Sequence, residues 1–204
     1  DAKGRATAAL KSKAKRQYAD YREMLAKEKP DLVSIALRWS DQHHAMALAA
    51  LNAGAHIFVE KPFTQTLAEA DEVLSLADKK NLKIAVAHQM RLSPNIVHLK
   101  RAIENGLIGD LVQIRAWGKQ DSRAGGEDMM VLGTHIFDMM RNFVGDALSC
   151  TAQIWQQGRE FKKSDARKAK EDIGLIGGDE IEAQFGFANG VFATFTSRAK
   201  LRDT

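Results

Sequence analysis

Cysteine, proline and long apolar runs are scarce in this chain of 204 residues, and each scarcity excludes a class of protein. Cys150 stands alone, so the chain can build neither an internal disulfide framework nor a zinc cage made of cysteines. No apolar run approaches the ~20 residues that a membrane-spanning helix requires, and we predict no membrane partner. With three prolines, 45% hydrophobic residues and 27% charged ones, the composition is typical of a folded globular protein.

The formal net charge of +4 raises the question of a nucleic-acid partner, but the basic residues are not arranged for one. They cluster near the start of the chain and again between residues 159 and 170, with no aromatic side chains interleaved for base stacking. Solvated helix faces and a polar loop explain both clusters, so we predict no nucleic-acid binding. We also predict no metal site, because His43 and His44 diverge on a helix and the other histidines lack ligand spacing.

The first half of the chain alternates between predicted strands and predicted helices. Residues 1–28 are predicted to form a helix, and short apolar runs at 32–37, 56–59 and 82–87 are predicted as buried strands. Helices are predicted between the strands, one at 42–53 and one opened by a capping box from Thr66 to Glu69. This alternation predicts parallel strands with helical crossovers, which is an α/β fold with a partial doubly wound (Rossmann) sheet.

The second half has a different pattern, with alternating strands that follow one another through hairpins. Helices are predicted at 93–105 and 129–144, and strands at 112–117, 148–155, 180–187 and 191–198, the last two joined by the hairpin sequence Ala188-Asn189-Gly190. Residues 156–170 are predicted to form a polar loop. We therefore predict an α+β domain with a mostly antiparallel sheet at 92–204, after the Rossmann part at 1–91.

Polar residues follow the first two predicted strands, where ligands bind in open parallel sheets. Ser40 and His43 come after the first strand, and the run Glu60-Lys61-Pro62 comes after the second. A partly desolvated lysine beside a carboxylate can exchange a proton near neutral pH, and Pro62 fixes the backbone from which Lys61 projects. The alternative interpretation is a surface loop with a turn proline.

A second candidate group lies on the predicted helix 129–144. His135 and Asp138 are three residues apart and share a face, so the carboxylate could orient the imidazole. Methionines and other apolar residues of this helix already supply a core, which makes a buried polar pair costly without a function. The alternative is a core histidine whose hydrogen bonds are satisfied.

These residues resemble the glucose–fructose oxidoreductase / inositol dehydrogenase (Gfo/Idh/MocA) family. The resembling features run in the same order along nearly the whole chain, with residues 156–172 as the exception: His43, Ala53-Gly54, Glu60-Lys61-Pro62, Met90-Arg91, Ser93-Pro94, the Gly106-Leu-Ile-Gly109-Asp-Leu turn, Gly133-x-His135-x-x-Asp138 and Asn189-Gly190. The resemblance implies a two-domain NAD(P)-dependent oxidoreductase of a sugar, polyol or related carbohydrate.

The family's functional residues carry over to matching positions. The resemblance implies that Lys61 relays the proton of the substrate hydroxyl while hydride passes to nicotinamide, and that His135 contacts the substrate and assists. The implied contacts to NAD or NADP are Ala36, Leu37, Ser40, His43, Glu60, Lys61 and Gln89. Arg91, His135 and Asp138 are implied on the substrate side, although Arg91 could instead serve the joint between domains. A homo-oligomer is implied as well, whereas a cytoplasmic location is the default that the lone Cys150 suggests, and whether an export signal precedes Asp1 stays open.

Three departures from the family pattern leave the function open. The glycine-rich dinucleotide fingerprint is missing, and we expect it upstream of Asp1, in a protein that also continues beyond Thr204. The cofactor loop carries Trp39 and Ser40 where members often have asparagine and proline. Val131 stands where many sugar dehydrogenases have an aspartate four residues before His135. The alternatives are a non-catalytic dinucleotide-binding or sensing protein, and a redox-neutral, NAD-dependent cleavage of a glycosidic bond.

Overall fold

The computed structural model describes residues 1–171 and 173–199, with the backbone alone described for residue 189. The chain divides into two compact units, Asp1–Ala87 and His88–Thr204. The predicted domain boundary, between residues 91 and 92, lies a few residues further along the chain. Within the described part of the chain, no helix has both the length and the apolar character needed to cross a membrane.

The first unit is built around a parallel sheet of three strands. Its strands are β1 (Leu32–Ile35), β2 (His56–Val59) and β3 (Ile84–Val86), hydrogen-bonded in that order. Its helices are α1 (Ala2–Ser12), α2 (Tyr21–Glu28), α3 (His43–Asn52) and α4 (Leu67–Lys79), with a 3-10 turn at Ser40–Gln42. The predicted alternation of strands and helices and the parallel pairing are confirmed.

The core of this unit follows from the sequence pattern. Leu51 of α3, Ile57 and Val59 of β2 and Val73 of α4 are all fully buried, which places apolar side chains from the helices against the sheet. The predicted capping box is present, because the Thr66 side chain accepts from the Glu69 backbone N–H and the Glu69 carboxylate accepts from that of Thr66.

The prediction of one helix over residues 1–28 was wrong. α1 ends where Lys13 adopts the left-handed conformation, at φ 56°. α2 starts only at Tyr21, where the Asp20 side chain accepts a hydrogen bond from the backbone N–H of Arg22. α1 buries only Ala9 among its residues, so tertiary packing does little to extend it.

The second unit combines a five-stranded mixed sheet with helices. Its helices are α5 (Pro94–Glu104), α6 (Gly126–Asp128) and α7 (Thr134–Val144), with a π-helix at Met129–Gly133 and 3-10 turns at Gln89–Leu92, Lys163–Asp165 and Ala188–Gly190. Its strands are β4 (Gln113–Trp117), β5 (Ala147–Gln156), β6 (Arg159–Glu160), β7 (Arg167–Lys168), β8 (Leu175–Ile176), β9 (Glu180–Phe187) and β10 (Phe192–Arg198).

The sheet order is β4-β10-β9-β5-β6, and β7 pairs with β8 separately. The predicted hairpin is confirmed, since β9 and β10 pair antiparallel across residues 188–190. β4 pairs with β10 in parallel, so the sheet is mixed, although its other pairs are antiparallel. The core between sheet and helix contains Phe195 and Ile181, both nearly inaccessible, with the ring of Phe137 of α7 centred 5.1 Å from that of Phe195.

The polar stretch predicted as a loop at 156–170 is more ordered than expected, because it contains the short strands β6 and β7, and β7 pairs with β8 just beyond it. The aromatic ring of Phe161 lies so close to Gly177 that a Cβ there would collide with it. Arg159 and Asp165 form a two-pronged ion pair, with N–O distances of 2.9 and 2.7 Å. These contacts join residues that are distant along the stretch, which a local polarity pattern does not reveal.

Candidate active site

The carboxyl ends of the three parallel strands lie side by side in the first unit. Ile35 pairs with Val59, and Val59 pairs with Val86, so the three strands finish at the same edge of the sheet. The segments 36–43 and 60–63 leave the sheet at this edge. These segments contain the residues predicted to bind the cofactor in this unit, as expected for an open parallel sheet.

His43 holds these two segments together from the interior. Its side chain is fully buried, its Nε2 lies 2.7 Å from the carbonyl oxygen of Leu37, and its Nδ1 lies 2.9 Å from that of Pro62 and 3.2 Å from that of Phe63. Carbonyl oxygens only accept, so a neutral ring donates to one segment and a doubly protonated ring donates to both. Because the imidazole is enclosed, we expect it to shape the cofactor loops rather than to touch a ligand.

The hydrogen-bonding contacts of His43 with these two segments, here called the latch, fix the backbone that carries Lys61. The backbone N–H of Glu60 donates to the carbonyl of Ile35 at 2.9 Å, and that of Lys61 donates to the Glu60 carboxylate at 3.1 Å. Glu60 and Lys61 are both half-buried, and the Lys61–Pro62 peptide bond is cis. The lysine therefore follows directly on a carboxylate in a loop held at both ends, which is the arrangement that the sequence predicted.

The remaining predicted cofactor residues differ in accessibility. Ala36 is exposed, Leu37 is half-buried and contributes its carbonyl to His43, and Ser40 is only 8% exposed at the start of its 3-10 turn. Gln89 belongs to the second unit, where it is exposed. The structure thus groups Leu37, His43, Glu60 and Lys61 through recorded contacts, while Ala36 and Ser40 are neighbours along the same loop.

In the second unit, Arg91 pairs with Asp138, which follows His135 by three residues on α7. The Arg91 Nε donates to the Asp138 carboxylate at 3.0 Å, and a terminal nitrogen lies 2.8 Å from its other oxygen. The Asp138 side chain is 10% exposed and that of Arg91 is 40% exposed. Both residues were predicted on the substrate side, and here they pair with each other in a planar fork that orients both groups.

His88 is a residue of this cluster that the sequence reasoning did not select. Its ring lies edge-on to the ring of His135, with centroids 5.4 Å apart and planes at 85°. Its Nδ1 lies 3.7 Å from a carboxylate oxygen of Asp138. The available signal was its place in the segment after the third strand, one residue before Gln89 and three before Arg91, both of which had been selected.

The helix that carries His135 is not one continuous α-helix, contrary to the prediction for residues 129–144. A π-helix over Met129–Gly133 separates α6 from α7. A π-helix bonds i to i+5 and so takes more residues per turn than an α-helix, and α-helical spacing therefore fails across it. Residue spacing therefore does not determine whether Asp128 and Val131 lie on the same side of the helix as His135.

Asp128, the carboxylate that precedes Val131 by three residues, is bound away from His135. It is fully buried, and one oxygen accepts from the Ser197 hydroxyl at 2.7 Å and from the backbone N–H of Lys119 at 2.6 Å. Burial raises the pKa of the Asp128 carboxyl, against the opposing effect of these two hydrogen bonds. Its carboxylate therefore joins the start of this helix to β10 and to the segment after β4.

Comparison with protein families identifies both halves of the chain. A model described as "Oxidoreductase family, NAD-binding Rossmann fold" matches residues 1–88, and the GFO/IDH/MocA C-terminal domain matches residues 96–203. The chain belongs to the Gfo/Idh/MocA family. The resemblance drawn from its motifs is thereby confirmed, and so is the fold class of a Rossmann part followed by an α+β part.

Individual family members show the same relationship. An uncharacterized oxidoreductase of Schizosaccharomyces pombe is 34% identical over 152 residues, which cover 69% of this chain and 41% of the relative. Levoglucosan dehydrogenase of Pseudarthrobacter phenanthrenivorans is 27% identical over 201 residues, covering 84% and 50%. A solved structure of levoglucosan dehydrogenase with NADH and levoglucosan shares the fold, with a TM-score of 0.79, 24% identity and coverage of 98% of this chain and 55% of that one. The chain thus spans half or less of the length of these two curated relatives.

Proposed function

We propose that this protein is an NAD(P)-dependent oxidoreductase of a sugar, a polyol or a related carbohydrate, with Lys61 as proton relay. The observation that carries the proposal is the edge of the first unit, where the buried His43 fixes the loop that holds Lys61 beside Glu60. This edge is the ligand-binding side of an open parallel sheet, and the domain matches a family described as NAD-binding.

The residues at this edge suit a dinucleotide. Three strands end in register, and the loops that follow them offer backbone groups, a hydroxyl and a carboxylate. We propose that Ala36, Leu37, Ser40, Glu60 and Gln89 hold the cofactor, and Glu60 is suited to accept hydrogen bonds from ribose hydroxyls. When bound, the nicotinamide ring supplies a hydride acceptor.

The chain's own residues handle the proton. Lys61 is half-buried, and burial favours the neutral amine, which is the form that can take the proton of the substrate hydroxyl as that oxygen becomes a carbonyl. We propose that His135 contacts the substrate and assists the proton transfer, and that Asp138 and Arg91, which pair with each other, lie on the substrate side as well. A carbohydrate substrate is supported by the relative whose printed name is levoglucosan dehydrogenase.

The test is turnover with Lys61→Ala in the full-length protein. We expect a loss of roughly 10²–10⁴-fold in kcat, the contribution usual for a positioned acid–base group. Nicotinamide absorbance would be followed with NAD and NADP across a panel of sugars, polyols and amino sugars. Lys79→Ala, at the exposed end of α4, is the matched control and should keep the wild-type rate. An unchanged rate in Lys61→Ala would remove this lysine from the mechanism.

Val131 favours a second candidate, a dinucleotide-binding or sensing protein without turnover, because the position lacks the carboxylate that accompanies His135 in many sugar dehydrogenases. Cofactor binding without any turnover on the panel would support it. Release of a sugar without net cofactor reduction would instead support redox-neutral cleavage of a glycosidic bond. Product analysis in the same assays distinguishes the three candidate functions.

A further inference from the structure

His88 joins two groups that the proposed mechanism treats separately. It contacts the ring of His135 at a centroid distance of 5.4 Å, and its Nδ1 faces the Asp138 carboxylate at 3.7 Å. Both partners lie on α7, one turn apart, whereas His88 comes from the segment ahead of the 3-10 turn Gln89–Leu92. A single imidazole therefore spans from the carboxylate to the histidine of the proposed site.

The charges around this trio favour one distribution of protons. The groups that face His88 from α7 are His135 and Asp138, and Arg91 faces the same carboxylate from the 3-10 turn. A carboxylate close by favours the charged form of an imidazole, and two imidazoles in ring contact disfavour being charged together. Because the Asp138 carboxylate faces the Nδ1 of His88, it stabilises a proton on the His88 ring, which contacts His135.

We propose that His88 is a positioning residue that, paired with Asp138, carries the proton shared by the two imidazoles and thereby keeps His135 neutral as a proton acceptor. This inference rests on the proposed function, in which His135 assists the removal of the hydroxyl proton. It assigns to the Asp138–His88 pair the task of tuning His135, a task left without a carboxylate at Val131. Asp128 does not take this task, because its carboxylate is bound to Ser197 and Lys119.

The test compares His88→Phe with wild type and reads His135 directly. Phenylalanine keeps a flat ring against His135 but removes the charge and the pairing with Asp138. The exchange of the imidazole C2 hydrogen for deuterium, followed by peptide mass spectrometry over a pH series, gives a titration midpoint for each histidine in the folded full-length protein. We expect the midpoint of His135 to rise by about one pH unit in His88→Phe, because a positive neighbour is lost and an aromatic face is gained.

Activity provides the second readout. The acid limb of the kcat/KM profile should move upward by the same amount, while kcat at alkaline pH stays within about threefold of wild type, since a neutral His135 no longer needs help there. His98→Phe, on the exposed face of α5, is the matched control and should move neither the His135 midpoint nor the acid limb. Circular dichroism verifies that both variants fold.

An unmoved or lowered His135 midpoint in folded His88→Phe would overturn the proposal. The exchange measurement does not depend on turnover, so this failure is distinct from failure of the proposed function, which would show as Lys61→Ala retaining full activity. A raised midpoint with an unmoved acid limb would also overturn the proposal, because His135 would then titrate as inferred without serving the reaction.

Discussion

Each of the two units has a histidine near proposed functional groups, but the surroundings of the two histidines differ. In the first unit, His43 is fully buried and faces three backbone carbonyl oxygens. In the second, His135 lies half-buried beside side chains that carry charge, with His88 against its ring and Asp138 one turn further along α7. The first arrangement fixes the path of the backbone, and we propose that the second controls protonation.

This difference determines what each site tolerates. A ring that binds carbonyl oxygens can be replaced only by a group of similar size with donors in the same places, because buried acceptors without a partner are costly. Side chains that act through charge can be exchanged for others of similar charge without changing the backbone. We therefore expect the loss of the His43 ring to lower the stability most, and substitutions of charged groups in the second unit to have smaller effects on stability, some of which depend on pH.

The largest effect is expected for His43→Ala. The substitution leaves a cavity and removes the ring nitrogens that face the carbonyl groups of Leu37, Pro62 and Phe63, which should lower the free energy of unfolding by about 2–4 kcal/mol. Urea unfolding of the full-length protein measures it. The matched control is His44→Ala, the next residue along, whose ring pairs with Glu72 at the surface at 2.8 Å and should change stability by less than about 0.5 kcal/mol. Equal losses in the two variants would contradict the latch.

The next largest effect is expected for Asp138→Asn. It replaces one prong of a charge-assisted fork with a neutral amide, and because Arg91 is 40% exposed we expect a loss of only about 1–2 kcal/mol. Asp146→Asn disrupts the exposed Arg141–Asp146 pair and serves as control, with an expected loss below about 0.5 kcal/mol. If thermal or urea unfolding gave the same loss for both, burial would not distinguish the two pairs.

Much of this comparison was accessible from the sequence. The alternation of strands and helices, the capping box at Thr66, the hairpin at residues 188–190 and the family follow from local patterns and their order along the chain. The Glu60-Lys61-Pro62 loop was predicted at a strand end, which is where the structure has it. Periodicity and turn chemistry act over a few residues, so local reading suffices for these features.

The features that the sequence did not reveal depend on contacts between distant residues. The pairing of Arg91 with Asp138 and the ring contact of His88 with His135 join segments more than forty residues apart. The π-helix at Met129–Gly133 shifts the register within a run whose composition is that of an ordinary helix. His43 is buried against backbone carbonyl groups, and because every residue has such a group, the sequence does not show which of them His43 contacts.

A smaller effect is expected when a carboxylate is added to the second unit by Val131→Asp. If the missing aspartate limits alcohol oxidation, the proposed reaction should become a few-fold faster, which corresponds to less than about 1 kcal/mol in the activation barrier. Val131→Asn has the same shape without the charge and is the control in the same turnover assay. No gain of the aspartate over the asparagine variant would mean that this site is built for another substrate or reaction.

The smallest effect at neutral pH is expected for Asp128→Asn, but its pH dependence is informative. The amide oxygen can still accept from Ser197 and Lys119, so the change in unfolding free energy at pH 7 should stay within about 0.5 kcal/mol. Burial raises the pKa of the Asp128 carboxyl in the folded protein, so the folded state keeps this proton to higher pH than the unfolded chain does. Its contribution to stability therefore falls as the pH rises through the window above the ordinary value of about 3.9.

The carboxyl pKa of Asp165 is shifted in the opposite direction, so this residue completes the measurement. The ion pair with Arg159 lowers the pKa of its carboxyl to about 2, so its stabilisation is complete above the ordinary value near 3.9 and is lost as the pH falls toward 2. In urea unfolding from pH 3 to pH 7, Asp128→Asn should remove a decline with rising pH, and Asp165→Asn should remove a gain. If the curves for wild type and Asp128→Asn ran parallel, the Asp128 carboxyl would titrate in the folded protein as it does in the unfolded chain. Its burial at the start of the His135 helix would then affect its charge no more than a position at the surface does.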